Sequence, residues 1–414
     1  MRILFLSHYF PPEVNAPASR TFEHCRRWVE AGHSVTVITC APNHPRGEVY
    51  AGYENKYWQR ESVAGVEVIR VWTYLSANKG FAKRTLNYVS FMFSSIAACL
   101  FVRRPDVVIT TSPQFFNGLA GYVVGILKWR PWVLEIRDLW PDSILAVGAI
   151  KNPAVIGFLK GLERFAYHKA DLLVPVTDAF SQHMQNLGVD SAKIAVLKNG
   201  VNMDFYLPDQ SDTDADRFRE TLGIKGKFVA AYFGTHGMAH HLETIFEAAD
   251  LLQHREDISF LMVGDGAERD RLAGMLEQRR LSNVSMLAQQ PKEMMPTLWA
   301  SCDASLVLLR KSELFKTVLP SKMFEAMAMK KPIVLGVEGE AQELLTAADA
   351  GVTIEPESAV ALARAVEGLA NEPALCQRHG ECGRRYVEQH HDRASLAVKY
   401  VELLEGVAIG KVMS

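Results

Sequence analysis

A chain of 414 residues, 48% hydrophobic and 22% charged, has the composition of a soluble globular protein and is too long for one core, so two or three domains are expected. The formal net charge of −2 excludes a general nucleic-acid or polyanion binder, but residues 1–208 carry +6 and residues 209–414 carry −8. That asymmetry fits a first half facing an anionic surface. Six cysteines without C-x-x-C spacing read as buried free thiols in a reducing compartment. The opening Met1-Arg2-Ile3-Leu4-Phe5-Leu6-Ser7 reads as a first strand rather than a signal peptide, so a cytoplasmic protein is expected.

In chain order, strand candidates fall at residues 2–7, 35–39, 66–72, 107–111, 132–136, 172–176 and 194–197. Helical stretches separate most of them. Residues 19–31 repeat Phe22, Cys25, Trp28 and Val29 at helical spacing, and Gly32 ends that helix. Continuous apolar strands alternating with helices predict a parallel sheet covered on both faces. Residues 86–102 stand out as almost wholly apolar, with Lys79, Lys83 and Arg84 before them and Arg103 and Arg104 after. Seventeen residues are marginal for spanning a bilayer, which leaves a buried helix or an interfacial one. The polar, acidic run at 208–216 has linker composition and is taken as the domain junction. A second alternation follows at 228–233, 258–263, 284–287, 304–309, 332–337 and 352–354, and residues 374–406 read as helices. The expected fold is α/β, with two doubly wound, Rossmann-like parallel sheets facing across a cleft and ligands at the carboxyl ends of the strands.

The central stretch runs from Lys316 to Ala328. Pro320-Ser321 is a helix start in which Ser321 can cap, and a helix N-terminus suits a phosphate. Lys322 in the first turn opposes the dipole unless an anion is bound. Glu325, one turn on, can accept hydrogen bonds from sugar hydroxyls. An ordinary capped helix with solvated Lys and Glu is the alternative.

Together with the two-domain alternation, the segments Gly32-His33-Ser34-Val35-Thr36-Val37-Ile38-Thr39, Asn199-Gly200-Val201, Val263-Gly264-Asp265-Gly266 and Phe324-Glu325-Ala326-Met327-Ala328 resemble the retaining GT-B glycosyltransferases of family four, the glycosyl transferases group 1. Arg137-Asp138-Leu139-Trp140-Pro141 and Pro320-Ser321-Lys322 resemble the bacterial branch that builds O-antigen, colanic-acid-like and capsular polysaccharides. The resemblance implies an acceptor-binding domain at 1–207, a nucleotide-sugar-binding domain at 208–391, and a final helix at about 392–414 packing back on the first. It implies no metal and no cofactor beyond the donor itself. Asp212-Thr213-Asp214 and Asp214-Ala215-Asp216 match D-x-D formally, but they read as solvated junction.

Residue by residue, Glu325 matches the second glutamate of the family's E-x7-E motif, which looks like the ribose-binding group. The first glutamate is replaced by Thr317, so the backbone of Val318, Leu319, Pro320 and Ser321, or Thr317 itself, must orient the sugar. The family's Arg/Lys phosphate pair falls near Thr235 and His240, where neither cation is present; Lys322 is expected to supply the charge, with N–H groups of the Gly234–Gly237 loop. His236, His240 and His241 assist if protonated, or form a weak metal candidate. Gly264 and Gly266 line the donor or make a tight turn. Gln290 is placed at the base. Asn15 and Ala16 stand where the family has a Gly-Gly loop, and Arg20 serves the diphosphate or the acceptor. Arg137 and Asp138 form either a structural pair or an acceptor site in which Asp138 orients or deprotonates the hydroxyl. Trp140 stacks on a sugar or belongs to the core. The implied activity is metal-independent, retaining transfer of a hexose or amino-sugar from a nucleoside-diphosphate donor, most simply uridine-linked, to a lipid-linked glycan at the inner-leaflet membrane surface. A non-catalytic nucleotide-sugar-binding protein and a nucleotide-sugar 2-epimerase are the alternatives.

Overall fold

A computed structural model of the chain describes residues 1–44, 46–76, 81–112, 114–146, 150, 152–208 and 212–410. In chain order its elements are β1 (Arg2–Leu6), α1 (Ala16–Glu30), β2 (Ser34–Cys40), β3 (Trp58–Val63), β4 (Val66–Val71), α2 (Phe81–Cys99), β5 (Val107–Thr111), α3 (Phe115–Lys128), β6 (Trp132–Ile136), α4 (Asp142–Ala146), α5 (Pro153–Lys169), β7 (Leu172–Pro175) and α6 (Asp178–Asn186). They continue with α7 (Asp212–Thr221), β8 (Phe228–Phe233), α8 (Glu243–Leu251), β9 (Ile258–Val263), α9 (Arg269–Arg279), β10 (Val284–Leu287), α10 (Met295–Ala300), β11 (Ala304–Leu308), α11 (Lys322–Ala328), β12 (Ile333–Gly336), α12 (Glu340–Ala348), β13 (Gly351–Thr353), α13 (Ala359–Asn371), α14 (Pro373–His390) and α15 (Arg393–Ala408).

Two compact units result. Unit 1 holds residues 1–199 and 393–414, and unit 2 holds residues 200–392. The division falls at Asn199 and Gly200, not in the acidic run at 208–216. Residues 209–211 of that run lie outside the described residues, and the D-x-D matches that read as solvated loop stand on α7, where Ala215 is buried. A helix interior wins there because Ala215 and Phe218 give the segment an apolar side that packs on unit 2.

Unit 1 is a seven-stranded sheet in the order β3-β4-β2-β1-β5-β6-β7. All pairings are parallel except β3 with β4, an antiparallel edge strand that the continuous-apolar reading missed because its burial alternates. The expected strand at 194–197 supplies only a bridge from Ile194 to Leu173. The central strands β1, β5 and β6 are buried along nearly their whole length, which is why they read as unbroken apolar runs. On one side, α15 packs on α1, with Trp28 Nε1 donating to the Ala397 carbonyl at 3.0 Å and the Tyr400 ring edge-on to Trp28. On the other side, α2 packs on α3 and α3 on α5.

Unit 2 is an all-parallel sheet in the order β10-β9-β8-β11-β12-β13. Its first strand lies in the middle, so the order reverses between β8 and β11. Loops leaving the carboxyl ends of two strands that diverge in this way open a crevice suited to a ligand. In unit 1 the same reversal falls between β1 and β5.

Candidate active site

Unit 2 brings two loops together at its reversal point. The loop after β8, which runs Gly234-Thr235-His236, is tied to β9's loop by His236 N–H donating to the Asp265 carbonyl at 2.9 Å. The loop after β11 is tied to β8's by Arg310 N–H donating to the Ala239 carbonyl at 2.8 Å. From the far end of that second loop, the first residue of α11 reaches back: Lys322 Nζ sits 3.6 Å from the centroid of the Tyr232 ring. That ammonium is closed off from solvent and has no hydrogen-bond partner among the described residues. A Cβ on Gly234 would stand 3.1 Å from Nζ, so the glycine, at φ +140°, leaves the room the ammonium occupies. Gly234 and Thr235 themselves are exposed. A buried cation held only by a ring face is costly. Burial pushes its pKa down to about 7, partly countered by the charge of Glu325.

Several expectations change here. Lys322 and Glu325 are half-buried rather than fully exposed. Glu325 Oε2 accepts a hydrogen bond from Trp299 Nε1 at 3.3 Å, which fixes one carboxylate oxygen. Ser321 occupies the cap position but is helical itself, and its side chain caps nothing. With only seven residues in α11, the dipole is short, and the charge on Lys322 is the stronger attraction for an anion. Leu319 is buried in the unit 2 core, so only its backbone remains for a ligand, and Pro320 is half-buried beside it. Thr317 closes a 3₁₀ turn and donates its hydroxyl to the Leu314 carbonyl at 2.6 Å.

His240 and His236 are held neutral in the free protein. Burial first, and then the charge of Lys322, hold His240 down at about 3, and its Nδ1 lies 3.2 Å from the Leu308 carbonyl oxygen. His236 is fully buried and held at about 4 by burial, Arg269 and Lys322. No group of three His, Cys, Asp or Glu suited to a metal occurs among the described residues. Gly264 and Gly266 are needed for packing: a Cβ would meet the Gly234 carbonyl oxygen at 1.8 Å or the His236 carbonyl oxygen at 2.4 Å. Their missing side chains let the loop after β9 and the loop after β8 approach closely. Gln290 turns its amide back onto the Ala288 carbonyl.

Unit 1 treats its charges differently. Asn15 caps α1, its Oδ1 accepting from Ala18 N–H at 2.8 Å, and Ala16 is the first residue of the helix; neither forms the open loop expected from the Gly-Gly comparison. Arg20 is 2% exposed and fully engaged. Its Nε donates to Glu135 Oε2 at 3.1 Å, and its terminal nitrogens donate to the Leu197 and Lys198 carbonyls and to Asn199 Oδ1. It is a clamp between α1, β6 and the segment after β7, closed to diphosphate and acceptor alike. Arg137 pairs with Glu135 at 4.0 Å, not with Asp138, and donates to the Pro17 carbonyl. Burial pushes its pKa down to about 9. Trp140 is core, stacked on Phe115 with centroids 5.9 Å apart. Asp138 remains: its N–H donates to Ser112 Oγ, and burial raises its carboxyl to about 6.

Comparison with known proteins supplies the family. Residues 15–200 match the glycosyl transferase 4-like domain, and residues 214–386 match the glycosyl transferases group 1. The chain belongs to the family-four, group 1 glycosyltransferases. It is 28% identical over 415 residues to a colanic acid biosynthesis glycosyl transferase of Escherichia coli, WcaI, whose name gives that role provisionally; the match covers 98% of this chain and 100% of that one. In fold it resembles sucrose-phosphate synthase from Thermosynechococcus elongatus (TM-score 0.76, 16% identity, 99% of each chain). It also resembles Anabaena HepE in complex with UDP and glucose (TM-score 0.72, 18% identity, 98% of this chain and 100% of that one). Both domains of this glycosyltransferase are therefore GT-B domains. Within them, the sequence reading missed Tyr232, Trp299 and Glu135. Glu135 carried one signal, a carboxylate within the otherwise apolar strand Trp132–Ile136, and Tyr232 a weaker one, a polar tip in such a strand; Trp299 carried none, and only the folded chain brings the three to Arg20, Lys322 and Glu325.

Proposed function

We propose that this glycosyltransferase moves a hexose or amino-sugar, with retention and without a metal, from a nucleoside-diphosphate sugar to a lipid-linked glycan in surface polysaccharide biosynthesis. The observation that carries the donor half of this reading is the sealed, unpaired Lys322 ammonium beside the exposed Gly234-Thr235 loop at the reversal point of unit 2. A diphosphate seated there gives Lys322 the counter-charge it lacks, and the lysine stabilises the charge that develops on the leaving diphosphate. Glu325, with one oxygen held by Trp299, takes the ribose hydroxyls. Asp138 orients or deprotonates the acceptor hydroxyl, and its raised pKa suits a base working near neutrality. A uridine donor is the simplest choice, in keeping with the UDP bound by HepE. The role of the WcaI relative and the six free cysteines support polysaccharide assembly on the cytoplasmic side of a membrane.

The test is a panel of nucleotide-sugars screened by thermal shift in the presence of a chelator. A specific donor at about a hundred times its Kd adds roughly 2.7 kcal/mol of stability. The expected result is a several-degree rise for one donor, lost in Lys322→Met. No rise with any donor overturns the reading. The engaged Thr317 hydroxyl, in the place of the family's first glutamate, favours one second reading, a donor-binding protein that does not transfer; tight donor binding with neither transfer nor hydrolysis would establish it.

A further inference from the structure

Of the 18 large apolar side chains exposed among the described residues, 15 belong to unit 1. They are concentrated on the helix layer formed by α2, α3 and α5. The α2 helix and its following turn send out Leu86, Phe93, Leu100 and Phe101, the last 75% exposed. The α3 helix ends in exposed Ile126 and Leu127 and in Trp129, 83% exposed and held at φ +54°. On α5, Val155, Phe158 and Phe165 form an outward stripe at spacings of three and seven, while Leu159, Glu163 and Ala166 face inward. A helix that covers a sheet needs one apolar face; these helices have two.

Charge follows the same surface. Between Val68 and Leu134 the only carboxylate is Asp106, against eight Lys and Arg. The one carboxylate within α5, Glu163, is buried. Lys83, Arg103, Arg104, Arg164 and Lys169 stand exposed around the apolar side chains. Arg104 donates to the Lys128 and Trp129 carbonyls, which joins the turn after α2 to the end of α3. Beside that junction a hollow of about 370 Å³ is lined by Tyr122, Ile126, Trp129, Arg130, Lys169 and Asp171. Among the described residues no helix is long and apolar enough to cross a membrane.

We infer that the outer face of the α2–α3–α5 layer docks this enzyme flat on an anionic lipid bilayer. Aromatic and aliphatic side chains enter the headgroup boundary while the cations contact lipid phosphates. A second copy of the chain fits poorly, since a cationic face set on its own duplicate repels. The layer also leads to the chemistry. All three helices start at the carboxyl edge of the unit 1 sheet, where an apolar cluster of Tyr88, Trp140, Ile144 and Leu159, with Phe115 against it, lies next to Asp138. This deepens the lipid-acceptor proposal and rests on it for its purpose.

The experiment is co-sedimentation of the full chain with vesicles of phosphatidylcholine alone or of phosphatidylcholine and phosphatidylglycerol in equal parts, at low and high salt. Wild type is expected to pellet with the anionic vesicles and to be released by salt. A Phe101→Ser/Trp129→Ser variant and an Arg103→Glu/Arg104→Glu variant should each weaken binding by about tenfold or more, because the first removes two apolar anchors and the second reverses two cations at the lipid surface. All four side chains are exposed; Arg104→Glu gives up two surface hydrogen bonds, so a cooperative melt and an unchanged thermal shift with the donor are the checks that both variants fold. Wild type staying in the supernatant, variants pelleting like wild type, or vesicle-independent self-association that the variants abolish would each overturn this surface. Transfer to a detergent-dispersed lipid-linked acceptor separates the two proposals. If it survives while docking fails, the enzyme reading stands and the docking face falls.

Discussion

The two sheets reverse their strand order in the same way, yet the two reversal points handle buried charge oppositely. In unit 1, Glu135 lies between two arginines and also accepts from the Thr111 hydroxyl, and Arg20 finds a partner for each of its nitrogens. In unit 2, the side chain of Lys322 is only half-buried, but its ammonium is closed off from solvent against a ring face with no hydrogen-bond partner among the described residues. Paired buried charge is scaffold. Unpaired buried charge implies a partner absent from the free protein, because its desolvation is otherwise uncompensated. Position at a strand-order reversal does not by itself make a residue a ligand contact; Arg20 has the position and Lys322 the free valence.

The largest test of that contrast is Arg20→Met. It leaves Glu135 with the Thr111 hydroxyl and one distant arginine, and chemical denaturation should show a loss of about 3 kcal/mol, with donor affinity unchanged in whatever protein remains folded. A loss under 1 kcal/mol would break the comparison from the unit 1 side. Asp138→Asn should lower turnover by about 10²–10⁴-fold while leaving donor binding intact. In wild type the rate should climb with pH to a plateau above about 6, since the carboxyl must lose its proton first; unchanged turnover returns Asp138 to structure.

Lys322→Met should cost about 10–100-fold in donor affinity, measured by calorimetry, through loss of one charge-assisted contact. The same change should stabilise the free protein, and the sign can be checked against pH. A lysine whose folded pKa has fallen to about 7 from the ordinary 10.5 binds more protons unfolded than folded between those values. Wild-type stability therefore rises with pH across that window, and the advantage of Lys322→Met is full below about pH 7 and gone above about 10.5. A variant less stable than wild type at pH 7 would sink the idea of an uncompensated cation. The smallest effect belongs to Tyr232→Phe. It keeps the ring under Lys322 but removes the hydroxyl that donates to the Thr235 carbonyl at 2.8 Å, so roughly 1 kcal/mol of stability should go, with donor affinity falling only a few-fold.

The periodicity of apolar residues was enough to place twelve of the thirteen strands and to require two parallel sheets, because strands buried on both faces leave unbroken runs such as Ile3-Leu4-Phe5-Leu6. It missed β3, which has one wet face, and it took the start of α7 for a linker because acidic side chains on a helix surface look like those of a loop. Residue type also picked out Lys322, Glu325 and Asp138, whose chemistry is visible without a fold. Sequence alone could not settle which cations were already spoken for. Arg20 and Lys322 are equally charged on paper, and only the tertiary structure brings Glu135 to one, across 115 positions of chain, and the ring of Tyr232 to the other. Local pattern determines which side chains are buried, because periodicity is a property of neighbours; whether a buried charge is satisfied depends on residues far away in sequence, and that is decided when the strands assemble.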